Sequence, residues 1–240
     1  MMMKTIGIIG GMSAESTAHY YAHINAGVRQ RLGGLHTAEL ILWSVDFAEI
    51  AEMQTRGDWS AAGRRLADVA GRLERAGADA IILATNTMHK IAGEIEAAIS
   101  VPFIHIADAT AHEIRAAGQK RPGLMATAYT MEQDFYIGRL RDKFGFGVIV
   151  PNEADRRETH RIIYDELCKG IVTRQSRKSY EAIAGRLQQR GADSLILGCT
   201  EVAMLLNQQN VAMPVFDTAE IHAHAAVNFA LSEQNLKAAE

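Results

Sequence analysis

The chain has 240 residues, enough for one large or two small domains, and its 48% hydrophobic and 22% charged residues are those of an ordinary globular protein. A formal net charge of -3 argues against general nucleic-acid binding. No apolar run approaches the roughly 18 residues of a membrane span, the start lacks a signal-peptide pattern, and two distant cysteines make no disulfide framework. A soluble, cytoplasmic protein with free thiols is expected.

Thr5 to Ile9 reads as a first strand. The turn Gly10-Gly11-Met12-Ser13 leads into a helix running past Tyr20 and Ile24. Its glycines permit close backbone approach and would present helix N-terminal amides to an anion or a substrate. They do not form the dinucleotide pattern G-x-G-x-x-G. Leu40 to Ser44 is a second strand. Asp46-Phe47 is expected to open a polar loop that reaches Gln54-Thr55-Arg56-Gly57. Gln54 and Arg56 are its side chains able to reach a carboxylate, Arg56 as a bidentate fork.

Leu66, Val69 and Leu73 share one helical face. Gly77 sits where that helix ends in a left-handed residue. Ala80 to Ala84 is a short buried strand, followed by the polar tip Thr85-Asn86-Thr87. Met88, His89 and Lys90 open another helix. His89 is open to two roles, a general acid or base and a capping or packing residue. Val101 to Ile106 reads as a further strand, with Asp108 capping the helix after it.

The pattern then restarts. Gly123-Leu-Met-Ala-Thr127 resembles Gly7-Ile-Ile-Gly-Gly11, and Tyr136 falls opposite Tyr20. Thr127 and Thr130 therefore echo the first Gly turn with hydroxyls added. Arg157 to Leu167 is helical in pattern, and Cys168 reads as a small packing residue. Tyr180, Ile183 and Leu187 form a second helical stripe, followed by Gly191, the strand Ser194 to Gly198, and the tip Cys199-Thr200-Glu201. At a constant offset, Arg72, Leu73, Gly77, Ala78, Asp79, Ile82 and Leu83 match Arg186, Leu187, Gly191, Ala192, Asp193, Ile196 and Leu197. In this register Thr85 stands opposite Cys199. Pro214 to Thr218 mirrors the Pro102-to-Asp108 stretch, and Asp217 or Thr218 caps a last helix, Ala219 to Leu231. His222 and His224 lie two apart on it, share no face and suggest no metal site. The tail after Ser232 is expected to fray.

Alternating strands and helices predict an α/β fold with parallel sheets. The repeat predicts two similar lobes related by a pseudo-two-fold axis, with the active site between them. The first lobe is expected to be discontinuous, residues 1–106 plus 215–240, and the second to span 107–214. Residues just after parallel strands lie at the carboxyl edge of the sheet, where open α/β folds place ligands.

A cysteine at a strand end before a helix has reason to be acidic, because helix amides favour the thiolate, and a buried inert thiol is the other reading of Cys199. Opposed groups on a pseudo-two-fold axis are what inversion at carbon requires. One removes a proton from one face and the other returns a proton to the opposite face.

The motifs Gly7-Ile-Ile-Gly-Gly-Met-Ser13, Thr85-Asn86-Thr87-Met-His89, Leu197-Gly-Cys-Thr-Glu201 and Phe216-Asp-Thr218 resemble the aspartate/glutamate racemase superfamily over nearly the whole chain. Met131-Glu-Gln-Asp-Phe-Tyr136 and Ile162-Ile-Tyr-Asp-Glu-Leu167 point to its bacterial L-aspartate/glutamate-specific branch. The resemblance implies a reaction that needs neither pyridoxal phosphate nor metal, a small amino-acid substrate and a homodimer. It implies Cys199 as base on the L-substrate. Thr85 stands where the commonest pattern has a second cysteine, so asymmetric chemistry is expected. Asn86, Thr87, Thr200 and Glu201 would hold the α-carboxylate and α-ammonium, with Glu201 the ammonium partner. Gln54 matches a substrate-contacting position. Met12 in the first Gly turn and Thr127 in its echo complete the candidate binding set. Two other readings are a single-cysteine decarboxylase or isomerase of a dicarboxylate, and an amino-acid-binding protein without catalysis.

Overall fold

The computed structural model describes residues 3–232. The tail after Ser232, expected to fray, lies outside them. The chain divides into two compact units, one made of residues up to Ile106 and from His222 onward, the other of Ala107–Ile221.

In the first unit β1 (Ile6–Gly10) leads to α1 (Ala14–Leu32), β2 (Leu40–Ser44), α2 (Phe47–Arg56), α3 (Trp59–Arg75) and β3 (Ala80–Leu83). A 3-10 turn, Thr87–Ile91, and the short α4 (Ala92–Glu96) follow, and α5 (Ile106–Ala116) begins at the division. The sheet order is β2-β1-β3, all parallel. In the second unit come β4 (Pro122–Ala126), α6 (Ala128–Glu132), α7 (Asp134–Phe144), α8 (Glu153–Asp165), α9 (Arg174–Gln189), β5 (Ser194–Gly198), β6 (Val215–Asp217) and α10 (Thr218–Ala230), whose later turns belong to the first unit. Its sheet order is β4-β5-β6, again parallel.

The sequence repeat is structural. Leu66, Val69 and Leu73 on α3 pack with Ile9, Ile81 and Leu83 in the first core. Tyr180, Ile183 and Leu187 on α9 pack with Met125, Leu195 and Leu197 in the second. Gly77 and Gly191 both take positive φ, 103° and 91°, conformations glycine adopts without a Cβ penalty. Each is followed by the same backbone bond, Ala78 N–H to the Leu73 carbonyl and Ala192 N–H to the Leu187 carbonyl, both 3.1 Å. The matched aspartates do equivalent work. Asp79 Oδ2 accepts from Thr5 N–H at 2.7 Å, and Asp193 Oδ2 accepts from Lys120 and Arg121 N–H at 2.8 and 2.9 Å. Each carboxylate ties its own strand to the entry of the neighbouring one.

Four expectations are corrected. Residues 46–57 are not a loop. Asp46 caps α2 by accepting from Ala48 N–H at 3.0 Å, Gly57 closes it in the left-handed region, and Ile50 and Gln54, one turn apart, are buried. Residues 101–106 contribute an isolated bridge, Ile81 to Phe103, rather than a strand. Pro102 has no N–H to extend the ladder, and the Ile106 amide donates to His89 instead. Asp108 lies inside the first turn of α5 and pairs with Arg139 and Lys143 rather than capping. The segment from residue 215 does not return at once to the first lobe. Val215, Phe216 and Asp217 pair with Leu195, Ile196 and Leu197, and Thr218 Oγ1 donates to the Leu197 carbonyl at 2.8 Å. The division falls at 221/222, not 214/215.

Among the described residues no helix is long and apolar enough to cross a membrane. Asp217 caps α10 as expected, accepting from Ala219 N–H at 2.9 Å. His222, 0% exposed, accepts at Nδ1 from the Tyr20 hydroxyl (2.9 Å) and donates from Nε2 to the Ile104 carbonyl (2.6 Å). Burial pushes its pKa down from 6.5 to about 4. Between those values the unfolded chain binds a proton that the folded chain does not. The associated stability is therefore complete above pH 6.5 and is lost as pH falls toward 4. The loss amounts to about 3 kcal/mol. Thermal melts at pH 7.5 and 5 should show a smaller acid-induced drop in Tm for His222→Gln than for the wild type. Equal drops would place the acid sensitivity elsewhere.

Candidate active site

The carboxyl edge of each sheet carries one set of candidate residues. In the first unit Ile9 pairs with Leu83, and Ala84 N–H donates to the Ile9 carbonyl at 2.9 Å. The Gly11-Met12-Ser13 turn and the Thr85-Asn86-Thr87 tip thus leave the same edge side by side. Ser16 Oγ, at the start of α1, reaches the Ala84 carbonyl at 3.5 Å. Met12, Asn86 and Thr87 are buried, and Thr85 is half-buried. Gln54 is buried and donates to Met88 Sδ at 2.9 Å, which brings α2 to the tip. Arg56 instead pairs with Glu52 on the exposed side of α2.

The Gly turn is not a free anion cradle. Gly11 N–H donates to Thr17 Oγ1 at 2.8 Å and Ser16 N–H to Ser13 Oγ at 3.2 Å. Gly11 itself has φ +93°, and a Cβ there would collide with the Val45 carbonyl. The glycine is needed for the turn to pass this close to the Val45 backbone.

In the second unit Ala126 pairs with Gly198, so Thr127 and Cys199 leave adjacent strands. Thr127 is buried, caps α6, and its hydroxyl lies 3.1 Å from that of Thr130. Cys199 is half-buried and packs at the margin of the core. Its Sγ donates to Glu201 Oε2 at 2.8 Å, and Thr200 Oγ1 donates to the same oxygen at 2.6 Å. Glu201 is 5% exposed.

This geometry corrects the expected acidity of Cys199. Burial first, then the charge and hydrogen bond of Glu201, hold the thiol well above its ordinary pKa. The turn after the tip is a 3-10 segment of 3 residues, Val202–Met204. A full helix dipole is absent there, while a carboxylate lies two residues away. In the free protein Cys199 is a thiol, not a thiolate.

The sequence reading missed two side chains beside this tip. His160 and Tyr164 lie one turn apart on α8, with ring centroids 4.7 Å apart. His160 Nδ1 accepts from Ala128 N–H at 3.2 Å, bracing the turn after β4. The Tyr164 hydroxyl is pushed up by burial and then by Cys199, Tyr129, Cys168 and Glu201 around it. Their i, i+4 spacing was the available signal. Cys168 packs against the second core.

Four similarities accompany this geometry. Residues 9–226 match the family described as Asp/Glu/Hydantoin racemase. The chain belongs to that family. Membership makes it an enzyme of the amino-acid racemase class. A candidate Asp/Glu racemase of solved structure from Yersinia pestis is 51% identical, with a TM-score of 0.90, over 95% of this chain and 100% of that one. An aspartate racemase homologue from Pyrococcus horikoshii OT3 is 36% identical, with a TM-score of 0.83, over 95% and 99%. A broad specificity amino-acid racemase from Bacillus subtilis is 23% identical over 96% of this chain and 100% of its own. This racemase therefore carries two equivalent tips, one bearing a hydroxyl and the other a carboxylate-bonded thiol.

In a Cys168→Ser background, iodoacetamide should label Cys199 at pH 7 at least about tenfold more slowly than free cysteine. Glu201→Gln should speed labelling on the order of tenfold by removing the charge that opposes the thiolate. Labelling no faster than in the parent would mean that Glu201 does not hold the proton.

Proposed function

We propose that this racemase interconverts the enantiomers of aspartate, glutamate or both, without pyridoxal phosphate or metal. Cys199 takes the α-proton of the L-substrate and Thr85 serves the opposite face of the same carbon. The observation that supports this reading is the equivalence of the two tips. Each follows the strand that pairs, in the same register and in a like sheet, with the strand leading to the Gly turn or to its Thr127 echo. Asn86, Thr87, Met12 and Gln54 at the first tip, and Thr127, Thr200 and Glu201 at the second, form the proposed binding set.

The chemistry must overcome the protonated state of Cys199. An α-ammonium bound beside Glu201 offsets the carboxylate charge, and the thiol then loses its proton to solvent. The thiolate removes the α-proton of the L-substrate, leaving a carbanion conjugated with the carboxylate. The Thr85 hydroxyl gives its proton to the other face and takes one back from solvent. Cys199 is then again the thiol of the free protein, and the proton it first lost to solvent balances the one that Thr85 takes back. Because a hydroxyl is a far poorer base than a thiolate at neutral pH, removal from the D-enantiomer is the slower direction.

One observation favours a second reading. A thiol held protonated by Glu201 also suits delivery of a proton to a carbanion left by decarboxylation of a disubstituted malonate. We expect the protein to act as a homodimer in the cytoplasm, and light scattering should return twice the chain mass.

Incubation with L- and D-aspartate and L- and D-glutamate in heavy water, followed by NMR and chiral separation, should show loss of the α-proton signal with conversion. Exchange of L-substrate should rise with pH through neutrality, as the thiolate fraction grows. Cys199→Ser should cut exchange more than about a thousandfold, because a serine alkoxide is inaccessible at neutral pH. Retained activity would remove Cys199 as the base. Thr85→Cys should raise D-enantiomer turnover relative to L by about tenfold or more. An unchanged ratio would remove Thr85 as the opposing group. Release of carbon dioxide from a disubstituted malonate, with no exchange on the four amino acids, would favour the decarboxylase.

A further inference from the structure

His89 follows Thr85 by four residues and is 3% exposed. Its Nδ1 lies 2.7 Å from the Thr85 carbonyl oxygen. Its Nε2 receives the backbone N–H of Ile106 at 3.2 Å. An amide N–H only donates, so Nε2 presents its lone pair and carries no proton. A carbonyl only accepts, so Nδ1 carries the proton and donates it. The two backbone groups thus select one neutral tautomer of the ring, and both ring nitrogens are committed to the main chain.

The ring is also wedged. The centroid of His105 lies 4.5 Å away, that of Phe103 5.5 Å and that of His222 5.9 Å. His222 is in turn fixed by the Tyr20 hydroxyl and the Ile104 carbonyl. Two imidazoles therefore grip the 103–106 segment, one through the Ile104 carbonyl and the other through the Ile106 amide. His89 carries that anchorage to the Thr85 carbonyl.

We infer that His89 is a positioning residue for the Thr85 face, holding the backbone of the tip through Nδ1–H rather than exchanging protons with the Thr85 hydroxyl. This rests on the proposed role of Thr85. A hydroxyl is a weak proton donor, so its delivery depends on where Oγ1 stands, and Oγ1 moves with the backbone that His89 holds. Cys199 is in the other unit and has its own partners. Loss of the His89 contact should therefore spoil delivery at one face and leave removal at the other.

The test uses the full chain with L-substrate in heavy water. It reads two rates, wash-out of the α-proton and conversion to the D-form. Asparagine places an amide donor near Nδ1, whereas glutamine reaches only to the Nε2 position. His89→Gln should lower the ratio of conversion to wash-out at least tenfold, with wash-out within about twofold of wild type. His89→Asn should keep the ratio within about threefold. An unchanged ratio in His89→Gln overturns the inference. So does an equal fall of both rates, or a ratio as low in His89→Asn as in His89→Gln, since packing alone would give either. A second measurement needs no variant. Long-range proton–nitrogen NMR of the wild type at pH 7.5 should show His89 as the neutral Nδ1–H tautomer. An Nε2–H tautomer or an imidazolium overturns the inference even in a folded, active protein. If the wild type neither exchanges nor converts any of the four amino acids, the proposed reaction fails, and the tautomer measurement still decides the role of His89 at the tip.

Discussion

The carboxylates of Asp79 and Asp193 capture the backbone amides that start the neighbouring strands, at Thr5 and at Lys120 and Arg121. Charge-assisted bonds of this kind are among the stronger ones a chain can make. They set the register in which Ile6 lies beside Ala80 and Pro122 beside Ser194. A strand of 4 or 5 residues later, that register decides which residues emerge at the far edge. A slip by one residue would turn Ile82 and Leu83, or Ile196 and Leu197, to opposite faces and carry Thr85 or Cys199 out of place. The apolar burial behind each strand makes such a slip costly, since these side chains are 0–1% exposed. The candidate residues at the two tips are thus fixed from the opposite end of each sheet.

From equivalent positions the two tips acquire different electrostatics. Behind Thr85 stand buried imidazoles, His89 held by two backbone groups and His222 by the Tyr20 hydroxyl and the Ile104 carbonyl, and burial pushes the His222 pKa down to about 4. Beside Cys199 stands Glu201, 5% exposed, with two donors on one oxygen. The fold is repeated while the charge is not. That division suits the proposed proton-transfer pair, whose members would differ in acidity.

Much of this was legible in the sequence because the repeat is carried by buried residues. Apolar runs such as Ala80 to Leu83 and Ser194 to Gly198 have few alternatives to a covered parallel strand. Gly77 and Gly191 mark the turns before them. What failed to show has physical reasons too. The α2 segment looks polar because a single turn, Ile50 and Gln54, carries its inward face. Val101 to Ile106 has strand composition, but its amide at Ile106 is claimed by His89, a contact of 17 residues' separation. The return of the chain at residue 222 rather than 215 depends on β6 pairing with β5, which a mirror motif at Pro102 and Pro214 does not reveal. The acidity expected for Cys199 counted a helix that is one 3-10 turn, and it read Glu201 as a binding residue without its effect on the neighbouring thiol.

That effect bears directly on how a buried thiol can act as a base. Burial first, and then the negative charge of Glu201 beside Sγ, oppose the thiolate of Cys199. A carboxylate beside Sγ can therefore keep the thiol protonated across the neutral range. A cation beside that carboxylate offsets the part of this opposition that comes from its charge. An α-ammonium, as proposed for the substrate, would bring a positive charge to the Glu201 carboxylate. A thiolate formed only when such a cation is present is also protected from alkylation and oxidation between turnovers, since the thiolate is the reactive form. On the proposed reading, the carboxylate that adds to burial in silencing Cys199 is also the charge that an amino acid would neutralise on arrival.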